Sequence, residues 1–240
     1  MAEQPESEPT FAEAFSAALA RAGFARVKPG QLPTGRDLLA AIGGIRGIVE
    51  SILPGFGFLV LYTLTRNLAL SVLVPVALAI VFVAARAIAR QKMTTAIAGA
   101  IGVALTAVLA LVTNRPEANF LPGIVINAVS LLVLLVSLVA RWPLIGIFAG
   151  FLSGDPTGWR ADAAKRRVLY IATWLWVGLF ALRLVIEVPL YLAQQTVVLG
   201  SIKLITGVPL YAGFLWITWL LIGTVFASDA DDPQGDAPAS

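Results

Sequence analysis

Runs of about twenty apolar residues recur along this chain, and each is long enough as a helix to cross the ~30 Å hydrocarbon core of a bilayer. Six can be placed: Gly47–Thr65, Asn67–Ala85, Met93–Thr113, Leu121–Ala140, Val168–Tyr191 and Ile202–Phe226. Composition agrees that lipid is the solvent. The 240 residues are 58% hydrophobic and 13% charged, whereas a soluble domain is about half apolar and a quarter charged. The expected fold is an all-α membrane protein, a bundle of about six transmembrane helices with interfacial amphipathic helices. Residues 34–227 form the membrane domain in this reading, between an N-terminal cytoplasmic segment (1–33) and an acidic tail (228–240).

The tails carry their own patterns. Glu3, Glu6, Glu8 and Glu13 crowd the first thirty residues, which contain no apolar h-region, so no cleavable secretory signal is expected. Thr10 to Glu13 has capping-box spacing and opens a short helix with Phe11, Phe15, Ala18, Leu19 and Ala22 on one face. That helix suits the membrane surface; a docking helix for a partner is the alternative. From Thr34, Leu38, Ile42, Ile45, Val49 and Ile52 follow helical spacing as an interfacial helix entering the first span, which Pro54 should kink. The C-terminal tail, with Asp229, Asp231, Asp232 and Asp236, is expected to be disordered.

Orientation follows from where Lys and Arg fall. Thirteen of the seventeen lie in the N-terminal segment, between spans 2 and 3, or between spans 4 and 5. The opposite loops hold only Arg66 and Arg115, and Arg183 and Lys203 fall within spans. Both termini are therefore expected on the cytoplasmic side, with the chain crossing the membrane repeatedly. This distribution suits lipid, and nucleic acid is not an expected partner despite the net charge of +3.

Chemistry is narrowly bounded, because the chain has neither cysteine nor histidine. Thiolate metal sites, Ser-His-Asp triads and imidazole proton shuttles are excluded. No cofactor, metal ligand set or catalytic residue stands out, and enzyme activity is not expected.

Three features remain. Within the 27 residues from Arg141 to Arg167, Trp142–Leu152 is apolar but too short to span, Asp155–Gly158 reads as a turn, and Trp159 with Arg160, Lys165, Arg166 and Arg167 suits the headgroup layer. This basic loop is a candidate lipid contact; a protein-binding role is the alternative. Ala98, Gly102, Thr106 and Ala110 form a small-residue stripe that permits close helix packing. Val188–Tyr191 recurs as Val208–Tyr211, read as two proline kinks with aromatic neighbours.

The most specific signal is Arg183 with Glu187, four apart on one helix face and costly in lipid. At 1.5 Å per residue they lie roughly 22 Å and 28 Å along span 5, at a depth shared by Asn127 and Lys203 near the outer starts of spans 4 and 6. These four form the candidate intramembrane polar site. As glue, they would pin helices 4, 5 and 6 together; as a site, they would line a hydrated path.

Pro33-Thr34-Gly35-Arg36, Gly43-Gly44-Ile45-Arg46-Gly47, Arg141-Trp142-Pro143-Leu144, Ala172-Thr173-Trp174-Leu175-Trp176 and Pro189-Leu190-Tyr191 resemble an actinobacterial membrane family, domain-of-unknown-function family 3159, over about Thr34 to Leu221. The resemblance implies no biochemical role. More distantly, Leu53-Pro54 with Phe58 and Tyr62, Arg90-Gln91-Lys92-Met93, Asn127 with Leu134-Leu135-Val136-Ser137, Pro143-Leu144-Ile145 and Lys203 resemble the intracellular septation protein A family. That likeness implies work in envelope synthesis or division through membrane partners. A scaffold for such machinery is the leading expectation and a small-solute or ion transporter or channel subunit the second; a homo-oligomer is compatible with either.

Overall fold

A computed structural model describes residues 44–90, 94–153 and 157–226, and every regular element among them is a helix. In chain order these are α1 (Gly44–Thr65), α2 (Leu68–Ile88), α3 (Thr94–Thr113), α4 (Leu121–Val139), α5 (Leu144–Ser153), α6 (Ala163–Leu192), α7 (Thr196–Thr206) and α8 (Val208–Phe226). Short 3-10 turns at Pro116–Phe120 and Gly158–Arg160 lead into α4 and α6. Four helical stretches are long and apolar enough to cross a membrane: Leu68–Ile88, Pro116–Val139, Ala163–Leu192 and Thr196–Val225. Shorter apolar helices at Ile52–Thr65 and Ile97–Thr113 stand where the first and third spans were expected. The molecule is an all-α membrane bundle. The expected surface helix near Thr10, the interfacial pattern before Gly44 and the acidic tail lie outside the described residues.

A tight turn joins α1 to α2, and the same backbone step recurs after α3, α4 and α6. Arg66, Asn114, Arg141 and Gln194 adopt positive φ between 50° and 60° just past helix ends. That left-handed step frees the next amide to bond backwards: Arg115 N–H to Ala110 O at 3.1 Å, Trp142 N–H to Ser137 O at 2.9 Å, and Gln195 N–H to Leu190 O at 2.9 Å. Terminal carbonyls that would otherwise face apolar surroundings are satisfied in this way. Asn67 then caps α2 by accepting from the Leu70 amide at 3.0 Å.

Two groups of helices result. α1, α2 and α3 pack in sequence, and α6 packs against α4, α5 and α8. The 3-10 turn at Pro116–Phe120 and α7 join the groups: Phe120 and Leu199 enter one buried cluster with Phe58, Val72, Ala107 and Ala110. Gly200 makes this approach possible, since a Cβ there would meet Leu59 Cδ1 at 2.7 Å. Outward faces carry exposed Leu73, Ile80, Leu105, Leu132, Val185 and similar side chains, as a surface in contact with lipid must.

The structure corrects several sequence expectations. The last span is interrupted: α7 runs from Thr196 to Thr206, and Gly207 after it has a ψ of −121° that leaves the helical region. Pro209 accordingly lies in the first turn of α8, where its missing N–H costs nothing, rather than kinking a span. On α3 the buried line is Ala107 and Ala110, while Ala98 and Gly102 face outward, so only the end of the small-residue stripe packs. The basic loop is largely helical: α6 starts five residues before the expected Val168, because Asp162 caps it by accepting from the Ala164 amide at 2.7 Å and the Lys165 amide at 3.3 Å. Trp159 lies in the protein interior against Ala149 and Leu169 rather than in the headgroup layer. Gly146 clears space for it, a Cβ at that position meeting the indole at 3.2 Å.

Candidate functional site

Glu187 is the centre of the polar cluster. It projects from α6 one turn after Arg183 and is fully buried. Its Oε1 accepts from Arg183 Nε at 3.2 Å, and its Oε2 accepts from Lys203 Nζ at 2.9 Å and from Asn127 Nδ2 at 3.3 Å. Three helices, α4, α6 and α7, thus converge on one carboxylate. The pair marked out by its i, i+4 spacing and the two residues added by their depth are brought into a single network. Isolated, any of the three charges would be costly in hydrocarbon; together they satisfy one another through charge-assisted bonds.

The surroundings explain how the cations are held. Lys203 lies across Gly123 of α4, where a Cβ would come within 2.8 Å of its ammonium nitrogen, and it also sits 5.9 Å from the Phe120 ring centroid. Arg183 places its guanidinium 4.9 Å from the Tyr211 ring centroid, and Tyr211 continues into Phe180 and Trp176, whose indole N–H donates to Thr218 at 3.0 Å. One carboxylate facing two cations leaves an excess positive charge, and the aromatic faces stabilise it.

Sequence reasoning missed two parts of this region. Tyr211 stands out in sequence only as part of the repeated Val-Pro-Leu-Tyr segment, and nothing in that pattern says that its ring covers Arg183. Glu117, buried in the 3-10 turn, accepts from the Thr196 hydroxyl at 3.4 Å. It stands just outside an expected span, in a stretch whose sequence carries no signal of burial. Among the described residues, no three acidic side chains group as metal ligands would.

The candidate lipid-contacting residues lie at the other end of α6. Arg160 stacks on Trp142 at 4.1 Å, and its carbonyl accepts from Arg166 at 2.8 Å. Arg166 and Arg167 are exposed on the first turns of α6, and Lys165 is half-buried beside them. Arg141 joins Arg160, Arg166 and Arg167 around an open cavity of about 570 Å³, an association that their spacing in sequence does not reveal.

Residues 42–229 match the family model described as "Protein of unknown function (DUF3159)". The chain belongs to this family. The DUF3159 match takes in every residue of both sites, so the buried cluster and the basic cavity are features of the family domain in this chain rather than of its tails. No curated protein and no solved structure matches the chain.

Proposed function

We propose that this DUF3159 protein is a non-enzymatic scaffold of the bacterial inner membrane, with both termini cytoplasmic, that supports envelope or division machinery by binding other membrane proteins. The closed state of the buried cluster is the observation that carries this reading. Both oxygens of the fully buried Glu187 are occupied by Arg183, Lys203 and Asn127, leaving it poorly disposed to bind and release a passing ion. Such a knot fixes α4, α6 and α7 and holds the outward faces in register for partners. The sequence likeness to septation protein A supplies the direction toward envelope work, and the exposed apolar faces supply surface for membrane partners.

A transporter or channel subunit is the rival, drawing on the excess positive charge of the cluster. The two readings separate in the variant Arg183→Met/Glu187→Leu/Lys203→Met, which removes all three charges at once. A scaffold should still be captured with the same discrete membrane proteins by photocrosslinkers placed at Leu105 and Leu132 in cells. Purified wild-type protein in liposomes should carry no proton or anion flux. Flux through the wild type that the folded triple variant lacks would replace the scaffold with the transporter.

A further inference from the structure

The basic cavity beside α6 has four arginines among its lining residues, Arg141, Arg160, Arg166 and Arg167, and none of the lining residues is acidic. Like charges gathered in one concavity repel unless an anion joins them. Two of the four are held in place by neighbours. Arg160 is held over the Trp142 ring and lies 5.8 Å from the Trp159 ring centroid, and Arg166 is tied to the Arg160 carbonyl. Arg141 enters the cavity from the turn just past α4, where its φ is 60°.

Two further observations point to a ligand. The Nη1 atom of Arg160 is buried yet has no hydrogen-bond partner among the described residues, and a buried donor of this kind ordinarily has one. Lys165, Arg166 and Arg167 also crowd the first turns of α6, where the single carboxylate of Asp162 is taken up in capping the Ala164 and Lys165 amides and leaves the three cations in excess.

The lower wall identifies the source of that anion. Ile171 and Trp174 continue the cavity down α6 and remain 44% and 56% exposed. Trp174 stands seven residues beyond Arg167, roughly 10 Å along the helix axis. A soluble phosphate ester would engage only the arginine end. A lipid has a phosphate at one level and acyl chains one step deeper, matching both walls. The volume of about 570 Å³ falls in the range of small-molecule sites.

We propose that this cavity binds the phosphate headgroup of an anionic membrane lipid, held by Arg141, Arg160, Arg166 and Arg167, with the acyl chains lying on Ile171 and Trp174. This is a defined site rather than diffuse attraction of a basic surface to the bilayer, and it does not depend on the scaffold reading.

The test uses the full-length chain in mild detergent, with bound lipid read by native mass spectrometry. Wild-type protein should retain phosphatidylglycerol over phosphatidylcholine by about tenfold, the ratio that one to two cations supply at ~1 kcal/mol each near an anionic lipid. Arg166→Gln/Arg167→Gln should bring that preference close to parity. Both side chains are exposed, so the fold should persist; Arg167→Gln alone gives a smaller loss if the double variant does not fold. Arg66→Gln/Arg115→Gln removes as many charges from the opposite loops and should leave the preference intact. Trp174→Ala should weaken retention of the lipid, and millimolar glycerol 3-phosphate should not displace it. Equal loss from the Arg66/Arg115 control would reduce the site to bulk charge, and efficient displacement by glycerol 3-phosphate would assign it to a soluble ester; either result overturns the proposal.

Discussion

A carboxylate buried with three donors behaves differently from an isolated ion pair. Arg183 and Glu187 look self-sufficient as an i, i+4 pair, so changing both to leucine would be expected to restore stability. The structure alters that expectation, because Lys203 also rests on Glu187 at 2.9 Å and would be left buried without its anion. Glu187→Gln should be the most damaging single change, lowering stability by about 3–5 kcal/mol, since it strands two cations. Arg183→Leu/Glu187→Leu should remain well below wild type, whereas the triple variant with Arg183, Glu187 and Lys203 all made apolar should recover most of the loss. Unfolding titrations in mixed micelles measure this order; full recovery in the double variant would mean that Lys203 is not coupled to Glu187.

The decisive element is the interruption between α7 and α8. Thr196–Phe226 is apolar enough to continue as one helix, yet Gly207 turns out of helical geometry, and a Cβ on it would lie 2.6 Å from the Lys203 carbonyl oxygen. Only glycine fits this step without moving backbone. The break lets α7 lean on α1 through Gly200 and Leu59 while α8 packs separately along α6, and it lies one turn beyond Lys203. Gly207→Ala should therefore cost about 2 kcal/mol and disturb the Lys203 contact with Glu187. Gly102→Ala, on an open face of α3 with nothing within 4 Å, should be neutral or slightly stabilising. The same unfolding titration distinguishes them, and equal effects would remove the special role of Gly207.

Across the whole molecule, α6 joins two chemically different ends. Its thirty residues extend roughly 45 Å, more than the hydrocarbon thickness, so its first basic turns can stand in the headgroup layer while Glu187 remains within the bundle. Contact between Glu117 and Thr196 places the turn before α4 and the start of α7 at the same end, as alternating helix directions require. Reporters fused after residue 30, near Gln91, near Asp162 and after Asp229 should consequently all read cytoplasmic, in line with the distribution of Lys and Arg. A periplasmic signal near Asp162 would overturn this topology and move the basic cavity to the other side of the membrane.

Sequence by itself determined the helical membrane class, because uninterrupted apolar runs must close their backbone hydrogen bonds internally in lipid. It also marked Asn127, Arg183, Glu187 and Lys203, since a charged or amide group inside such a run is conspicuous wherever the helix goes. Tertiary structure alone decided that the four meet on one carboxylate, that Tyr211 covers Arg183, that Trp159 turns inward, and that Arg141 completes a cavity with arginines from the start of α6. Periodicity fixes the face of a helix a residue occupies; which faces meet depends on where the chain breaks and how closely backbones approach. Here the break at Gly207 and the close approaches at Gly123, Gly146 and Gly200 set those meetings, through steric contacts between residues that lie far apart in sequence.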